Sequence, residues 1–248
     1  MRSLRKSIGA LLTGCLLVAP LACATGGSGL RKAASAPRVL IVGGGGSHDF
    51  GRWFHKADST TLASTGAQVS YTDVPGSILP ELERIDVLFL SNNQPLPDPA
   101  LRQGIFDFVA AGKGLMIVHA SSWYNWRDWP AYNRELVGGG ARSHRRYGEF
   151  EVKVVAPDHP IMQGVPASFK ITDELYRSIP DTTVARINVL ATAQEVETGT
   201  VYPIIWTVEG KKGRVVVNTL GHDGEAHNHP AYQQILRNSL RWVSGQVQ

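Results

Sequence analysis

The chain has 248 residues, of which 43% are hydrophobic and 19% are charged. This composition is typical of a globular protein and excludes a disordered or fibrous one. The length accommodates one domain or two small ones. Both cysteines, Cys15 and Cys23, lie near the amino terminus, which excludes a disulfide scaffold and leaves no thiol for chemistry in the rest of the chain.

The amino terminus has the pattern of an export signal. Residues 2–6 contain three basic side chains, residues 7–22 are uncharged and mostly apolar, and Ala22-Cys23-Ala24 matches a small-x-small cleavage site. The apolar stretch is shorter than the roughly 20 residues of a spanning helix. We therefore predict a signal peptide over residues 1–24 and a periplasmic or extracellular mature protein without a membrane span.

The start of the mature chain leaves one alternative open. A lipid anchor on Cys23 competes with ordinary cleavage, because a small and polar stretch follows that cysteine. Residues 25–37 are rich in Gly, Ser and Ala and predict a flexible tether. A single domain is then expected over residues 38–245.

The formal net charge of +4 does not indicate a nucleic-acid partner. Three of the 25 basic residues lie in the leader, which has no acidic residue, so the remaining chain has a net charge of only +1. Arg142, Arg145 and Arg146 form a local basic cluster. This cluster is either a solvated loop or a loop that contacts an anion or a sugar.

The first half of the domain alternates between strand and helix patterns. Continuous apolar runs such as RVLIV are typical of strands that are buried on both faces. Such an alternation predicts an α/β fold with a mostly parallel sheet and helices on both faces. The predicted strands cover residues 38–42, 67–72, 85–91 and 115–119, and the helices cover residues 48–65 and a segment that Asp98 caps.

The second half is richer in strands. Residues 209–212 (EGKK) have the composition of a hairpin turn between two of them. A final amphipathic helix is expected over about residues 230–244. No linker separates the halves, so we predict a β-rich carboxyl-terminal extension of the same domain, with strands at 149–155, 187–193, 201–208 and 213–219.

Polar residues at predicted strand ends are the first candidates for a site, because open α/β sheets bind ligands at the carboxyl ends of their strands. His48 follows the first strand and a run of four glycines. That run does not fit a phosphate-binding or dinucleotide-binding motif, so no nucleotide cofactor is expected. His119 ends the fourth strand and is either a buried structural residue or an acid, base or ligand.

Aromatic and acidic side chains extend this list. Trp123 and Trp126 lie just past the fourth strand, where they either pack in the core or stack on a sugar ring. Asp173 and Glu174 form an acidic pair, followed by Tyr176, and one carboxylate there could act as a general base. Surface charge is the alternative for that pair.

His222 and Asp223 end a late strand and are followed by His227 and His229. Imidazoles and carboxylates are ligands for zinc and similar metals, although this spacing matches no standard zinc motif. His222 is the favoured ligand because of its position at a strand end. A divalent metal is therefore the one cofactor that the sequence suggests.

Several segments together resemble the ThuA-like family of trehalose-utilisation proteins. The resemblance implies a flavodoxin-like fold, close to that of class I glutamine amidotransferases but without their catalytic cysteine, so glutamine amidotransferase activity is excluded. It also implies a carbohydrate substrate and site roles for His119, His144, Asp173, Glu174, Tyr176, His222 and Asp223. The matching segments are GLMIVHASSW (114–123), YNRELVGGGARSH (132–144), DHPIMQGVP (158–166), DELY (173–176), PIIW (203–206) and GRVVVNTLGHD (213–223).

We therefore expect an exported protein that acts on a disaccharide or a keto-sugar derivative in sugar catabolism. A carbohydrate-binding or sensing protein without turnover is the alternative. The expected catalytic residues are His119, Asp173, Glu174 and His222. The expected substrate-binding residues are His48, Trp123, Trp126, His144, Tyr176 and Asp223.

Overall fold

The computed structural model describes residues 35–124, 126–181 and 183–248. The predicted signal peptide and most of the predicted tether lie outside these residues. Within the described ranges, no helix combines the length and the apolar character that crossing a membrane requires.

Eleven strands and five α-helices make up the described domain. The strands are β1 (Arg38–Val42), β2 (Gln68–Thr72), β3 (Val87–Leu90), β4 (Gly114–Val118), β5 (Gly139–His144), β6 (Gly148–Val154), β7 (Ser168–Asp173), β8 (Tyr176–Pro180), β9 (Ile187–Gln194), β10 (Val201–Val208) and β11 (Val215–Asn218). The α-helices are α1 (Ser59–Ala63), α2 (Ile78–Glu81), α3 (Pro99–Ala110), α4 (Gly224–His227) and α5 (Pro230–Val243). Shorter π-helical segments span Gly51–Asp58 and Tyr132–Val137, and 3₁₀ turns span Pro75–Ser77, His119–Ser122 and Pro160–Met162.

Nine strands form one large sheet in the order β2-β1-β3-β4-β11-β10-β9-β6-β7. Neighbours in the half from β2 to β11 are parallel, and neighbours from β11 to β7 are antiparallel. Only β10 and β6 therefore run against the other seven strands of this sheet. The predicted β-rich extension therefore continues the large sheet and does not form a separate layer. β5 and β8 pair in a second, two-stranded sheet.

Hydrophobic residues pack on both faces of the large sheet, as the apolar runs predict. In β1, Val39 and Ile41 belong to one buried cluster, whereas Leu40 and Val42 belong to the other. Alternate side chains of a strand point to opposite faces, so one strand contributes to both clusters. Helix α5 packs in the first cluster and α3 in the second. The predicted arrangement with helices on both faces is confirmed.

Each predicted strand is present, with ends that differ by at most two residues. The hairpin between β10 and β11 is confirmed, and Gly210 in its turn adopts a positive φ of 78°.

Three strands were not predicted, namely β5, β7 and β8. β5 begins with two glycines and ends in polar residues, so it depends on pairing with β8 rather than on its own pattern. β7 alternates between exposed and more buried residues, and that signal was available in the sequence.

Helix α3 starts as the sequence predicts, because the Asp98 side chain accepts a hydrogen bond of 2.9 Å from the Ala100 N–H. We expect Asp98→Ala to lower the free energy of unfolding by about 1 kcal/mol, since an N–H of the first helical turn loses its acceptor. Urea denaturation measures this change. Asp98→Asn keeps an acceptor oxygen and should be nearly neutral, and an equal loss in both variants would contradict the capping role.

Candidate functional site

Four side chains at the carboxyl ends of four strands converge on one point. His48 follows β1, His119 follows β4, Glu174 follows β7 and His222 follows β11. One ligand atom from each of them lies within 4.8 Å of all the others. The structure thus brings together three predicted catalytic residues and one predicted substrate-binding residue.

The distances between these atoms are close to those between the ligand atoms of a single metal ion. His48 Nε2 lies 3.0 Å from His119 Nε2 and 3.2 Å from His222 Nδ1. Glu174 Oε2 lies 3.3 Å from His222 Nδ1 and 3.9 Å from His119 Nε2. Ring nitrogens bind zinc at about 2.0–2.1 Å, so tetrahedral ligands lie roughly 3.4 Å from one another. Since lone pairs repel at such distances, the ring nitrogens need a proton or a cation between them.

The backbone holds His119 in an unusual conformation. Its φ of 47° makes it the one non-glycine residue with positive φ in the described part of the chain. Such a conformation is costly and persists only where the surroundings impose it. His119 Nδ1 lies 2.7 Å from the Thr219 carbonyl oxygen, which can only accept a hydrogen bond. Nδ1 therefore carries the proton, and the Nε2 lone pair faces the cluster.

His48 has a similar partner on its other ring nitrogen. Ser47 Oγ lies 2.5 Å from His48 Nδ1 and accepts a hydrogen bond of 2.5 Å from the Asn93 side-chain amide. Since the Ser47 hydroxyl can either accept from Nδ1 or donate to it, this contact orients the His48 ring so that Nε2 faces the cluster. Neither Ser47 nor Asn93 was predicted, although Asn93 follows β3 and strand ends were the signal used for the other residues.

Burial and mutual repulsion keep two of the histidines neutral. Burial, and then the neighbouring His222, lowers the pKa of His48 to about 4. Burial, and then His48, lowers the pKa of His119 well below its usual value. The hydrogen bond with Glu174 raises the pKa of His222. Although burial opposes it, the same bond lowers the pKa of Glu174. The cluster therefore offers two neutral imidazoles and a carboxylate, which are suitable ligands for a divalent metal such as zinc.

Asp173 positions two of these residues and does not reach the cluster itself. It is fully buried, and its two oxygens accept hydrogen bonds of 2.8 Å from the Gly221 N–H and 2.7 Å from the Glu174 N–H. Burial raises the pKa of Asp173 to about 7 even though both N–H groups favour the carboxylate. Asp173 was predicted to be a catalytic residue, but both of its oxygens accept from backbone N–H groups. Instead it links the segments that carry Glu174 and His222.

A second buried pair, Asp58 and His227, contacts the segment that carries Gly221 and His222. His227 Nδ1 lies 2.7 Å from Asp58 Oδ1, and both side chains are fully buried. His227 Nε2 lies 3.0 Å from the Gly221 carbonyl oxygen. The Tyr232 hydroxyl donates to Asp58 Oδ2 over 3.0 Å. His227 therefore acts in structure rather than in ligation, and His229 caps α5 through its Nδ1, which accepts from the Ala231 N–H.

The cluster borders a cavity of about 210 Å³. Trp123, His144 and Tyr176, which the sequence predicts to bind substrate, line it. The edge of the Trp123 ring meets Tyr176 at a centroid distance of 5.1 Å, and the Tyr176 hydroxyl lies 3.2 Å from His119 Nε2. The pairing of β5 with β8 places His144 opposite Tyr176. This apolar wall beside polar ligands is typical of a small-molecule site.

Two predicted substrate-binding residues lie elsewhere. Trp126 is 3% exposed and packs against Trp129 and Tyr132, so it does not stack on a ligand beside the four-residue cluster. Asp223 caps α4 through Oδ1, and its Oδ2 accepts a hydrogen bond of 2.8 Å from the Tyr147 hydroxyl. The Asp223 side chain thus caps a helix, whereas Trp126 packs among aromatic rings and lines a second cavity instead of the one beside the four-residue cluster. Tyr147 itself contacts the His222 ring and was not predicted.

Arg142, Arg145 and Arg146, which form a basic cluster in the sequence, have different surroundings in the structure. Arg145 pairs with Glu197 at 2.8 Å, so this side chain is a surface ion-pair partner. Arg142 extends over the Tyr124 ring at 4.4 Å and lines a second cavity. Arg146 is exposed. Of the three arginines, only Arg142 therefore lines a cavity close to the four-residue cluster.

Comparison with known proteins confirms the family. The chain belongs to the ThuA family, described as trehalose utilisation, which matches residues 38–243. No curated protein sequence matches the chain.

Solved structures share the α/β fold. A protein from Parabacteroides merdae described as ThuA-like has a TM-score of 0.74 and 21% identity, over 85% of this chain and 91% of that one. A ThuA-like protein from Bacteroides uniformis has a TM-score of 0.70 and 21% identity, over 85% and 93%. A cytoplasmic protein from Salmonella typhimurium has a TM-score of 0.59 and 15% identity, over 83% and 98%.

The buried Asp58–His227 pair predicts a pH-dependent contribution to stability. Burial alone would lower the pKa of His227, but the Asp58 carboxylate outweighs it and raises that pKa above 6.5. The stabilisation is then fully present below pH 6.5 and is lost as the pH rises through the raised pKa of the folded protein. Asp58→Asn should lower the free energy of unfolding by roughly 1.5–3 kcal/mol below pH 6.5 and by less at alkaline pH.

Urea denaturation of both proteins across this pH range measures the difference. A difference between wild type and variant that stays constant with pH would contradict an ion pair at this position. His55→Gln serves as a control, because His55 lies in the same helical segment as Asp58 but is exposed, and the difference from wild type should not depend on pH in the same way.

Proposed function

We propose that this protein is a metal-dependent enzyme that acts on a carbohydrate, either a disaccharide or a keto-sugar derivative, in sugar catabolism. The observation that carries the proposal is the convergence of three imidazole nitrogens and one carboxylate oxygen beside an aromatic wall. The family description supports the carbohydrate substrate. The predicted leader supports a location outside the cytoplasm.

The metal ligands in this proposal are His48, His119, Glu174 and His222. A bound divalent metal would supply Lewis-acid polarisation of a sugar carbonyl or hydroxyl oxygen. The carbonyl of Thr219 and the hydroxyl of Ser47 orient two of the imidazoles from behind, as partners of metal ligands commonly do.

Other side chains are suited to hold the sugar. Trp123 is partly exposed beside the cluster, and the C–H face of a sugar ring packs well on an indole ring. The Tyr176 hydroxyl is buried, and burial raises its pKa well above the usual value, so it stays protonated and can donate to a substrate oxygen. His144 Nδ1 lies 3.5 Å from Glu174 Oε1 and can bind a hydroxyl from the opposite side.

We also infer that the core is of the flavodoxin-like class. The parallel half has the order β2-β1-β3-β4-β11, which corresponds to the 2-1-3-4-5 order of that class. His48 and Asn93 follow the two strands at which the order reverses. Ligands of open α/β sheets bind at this crevice, so the strand order supports the site as well as the class.

The proposal predicts a metal that depends on His222. We expect one divalent metal ion per chain in the purified protein or after reconstitution, lost in His222→Ala and retained in His55→Ala, as measured by elemental analysis. Turnover of a keto-sugar glycoside should fall by at least roughly 100-fold in His222→Ala and on chelation, because the cluster loses a ligand or its metal.

Two results would overturn the proposal. One is a protein that takes up no metal under any loading condition, and the other is undiminished turnover in His222→Ala. Sugar that binds with measurable affinity and remains unchanged would instead identify a carbohydrate-binding protein without turnover.

A further inference from the structure

A second cavity lies directly beside the first and shares one wall with it. Its volume is about 400 Å³, and Trp123 lines both cavities. The first cavity, at about 210 Å³, is smaller than the roughly 300–1,000 Å³ that ligand pockets usually have. A disaccharide bound at the cluster must therefore extend beyond it, and the second cavity is the adjoining space.

Positive charge dominates the second cavity. Arg127, Arg134 and Arg142 line it, against a single carboxylate, that of Asp181. Arg134 Nε lies 4.0 Å from Asp181 Oδ2, whereas neither Arg127 nor Arg142 has an ion-pair partner among the described residues. The lining therefore has a net charge of +2, and its guanidinium groups repel one another until an anion enters.

The fold holds one of these arginines in place. Arg142 follows Ala141, which forms a bridge with Trp123 and accepts a hydrogen bond of 3.0 Å from the Tyr124 N–H. The guanidinium group then lies 4.4 Å above the Tyr124 ring. Gly140 permits this close packing, since a Cβ there would lie 3.1 Å from the Tyr124 ring and 2.8 Å from the Ser122 carbonyl oxygen. A guanidinium group ordered in this way loses little entropy when it binds an anion.

We propose that this cavity is an anion subsite for the part of the substrate that extends past Trp123. This inference rests on the proposed carbohydrate function and adds the substrate class, a saccharide that carries a carboxylate or another anionic group. Guanidinium groups bind carboxylates through paired hydrogen bonds. Since Trp123 lines both cavities, a saccharide in contact with it can place one sugar ring in each cavity.

The test compares two sugars that differ only at C6, methyl glucuronide with a carboxylate and methyl glucoside with a hydroxymethyl group, by calorimetry on the full-length protein. We expect the glucuronide to bind about tenfold more tightly, with a preference that weakens as salt is added. Arg142→Gln should reduce this preference several-fold. Asp181→Asn should increase it, because a competing carboxylate is lost. Arg146→Gln is the matched control, because Arg146 is exposed just after the strand that carries Arg142 and does not line the cavity, and it should change nothing.

Two further measurements separate the possible failures. The preference should persist in His222→Ala, since none of the cavity arginines contacts His222, so loss of the metal site alone leaves the inference intact. Unchanged metal content in Arg142→Gln shows that this variant is folded. Equal binding of the two sugars, or a preference unaffected by Arg142→Gln, would overturn the subsite. Inorganic phosphate that binds while neither sugar does would also overturn it, because the cavity would then hold a free anion only.

Discussion

A single buried carboxylate determines the geometry of the site. Asp173 accepts hydrogen bonds from the backbone of Gly221 and of Glu174. These residues follow β11 at the centre of the large sheet and β7 at its edge, which are separated in the sheet by β10, β9 and β6. The link therefore brings together two strand ends that the hydrogen-bonding order alone keeps apart. The distance between Glu174 and His222 depends on it, and so does the shape of the ligand cluster.

The four-residue cluster has a steric and an electrostatic cost in free energy. His119 has a positive φ, which for a residue with a Cβ costs about 1–3 kcal/mol. Gly221 lies against it with a φ of +129°, and a Cβ at that position would come within 3.4 Å of the His119 Cβ. Burial, and then a neighbouring imidazole, also lowers the pKa of His48 and that of His119. Packing from the Asp58–His227 pair and the Thr219 carbonyl offsets these costs and keeps the ring nitrogens aimed at one point.

The fold of this protein does not by itself determine its chemistry. The solved relatives share an α/β framework at 21% identity or less, which establishes the architecture and leaves the reaction to the side chains. No cysteine occurs after Cys23, so the elbow after β4 carries no thiol nucleophile. His119 occupies that elbow instead.

Much of the framework could be predicted from the sequence because its signals are local. Apolar runs such as residues 38–42 and 115–119 have no stable position except inside a sheet, and residues just after them must lie at one edge of it. His48, His119 and His222 were recognised as candidates in this way. β5 and β8 were not, since each depends on its partner rather than on its own composition.

The roles of neighbouring residues, by contrast, were decided only by the tertiary structure. Asp173 and Glu174 are adjacent and chemically alike, but successive side chains at a strand end point in opposite directions, so one meets backbone amides and the other meets the histidines. Trp123 and Trp126 also differ, because only Trp123 borders the cavity beside the histidines. The sequence by itself determined which residue types lie at the strand ends. Long-range packing decided which of them face a common cavity, because that depends on how distant strand ends are brought together.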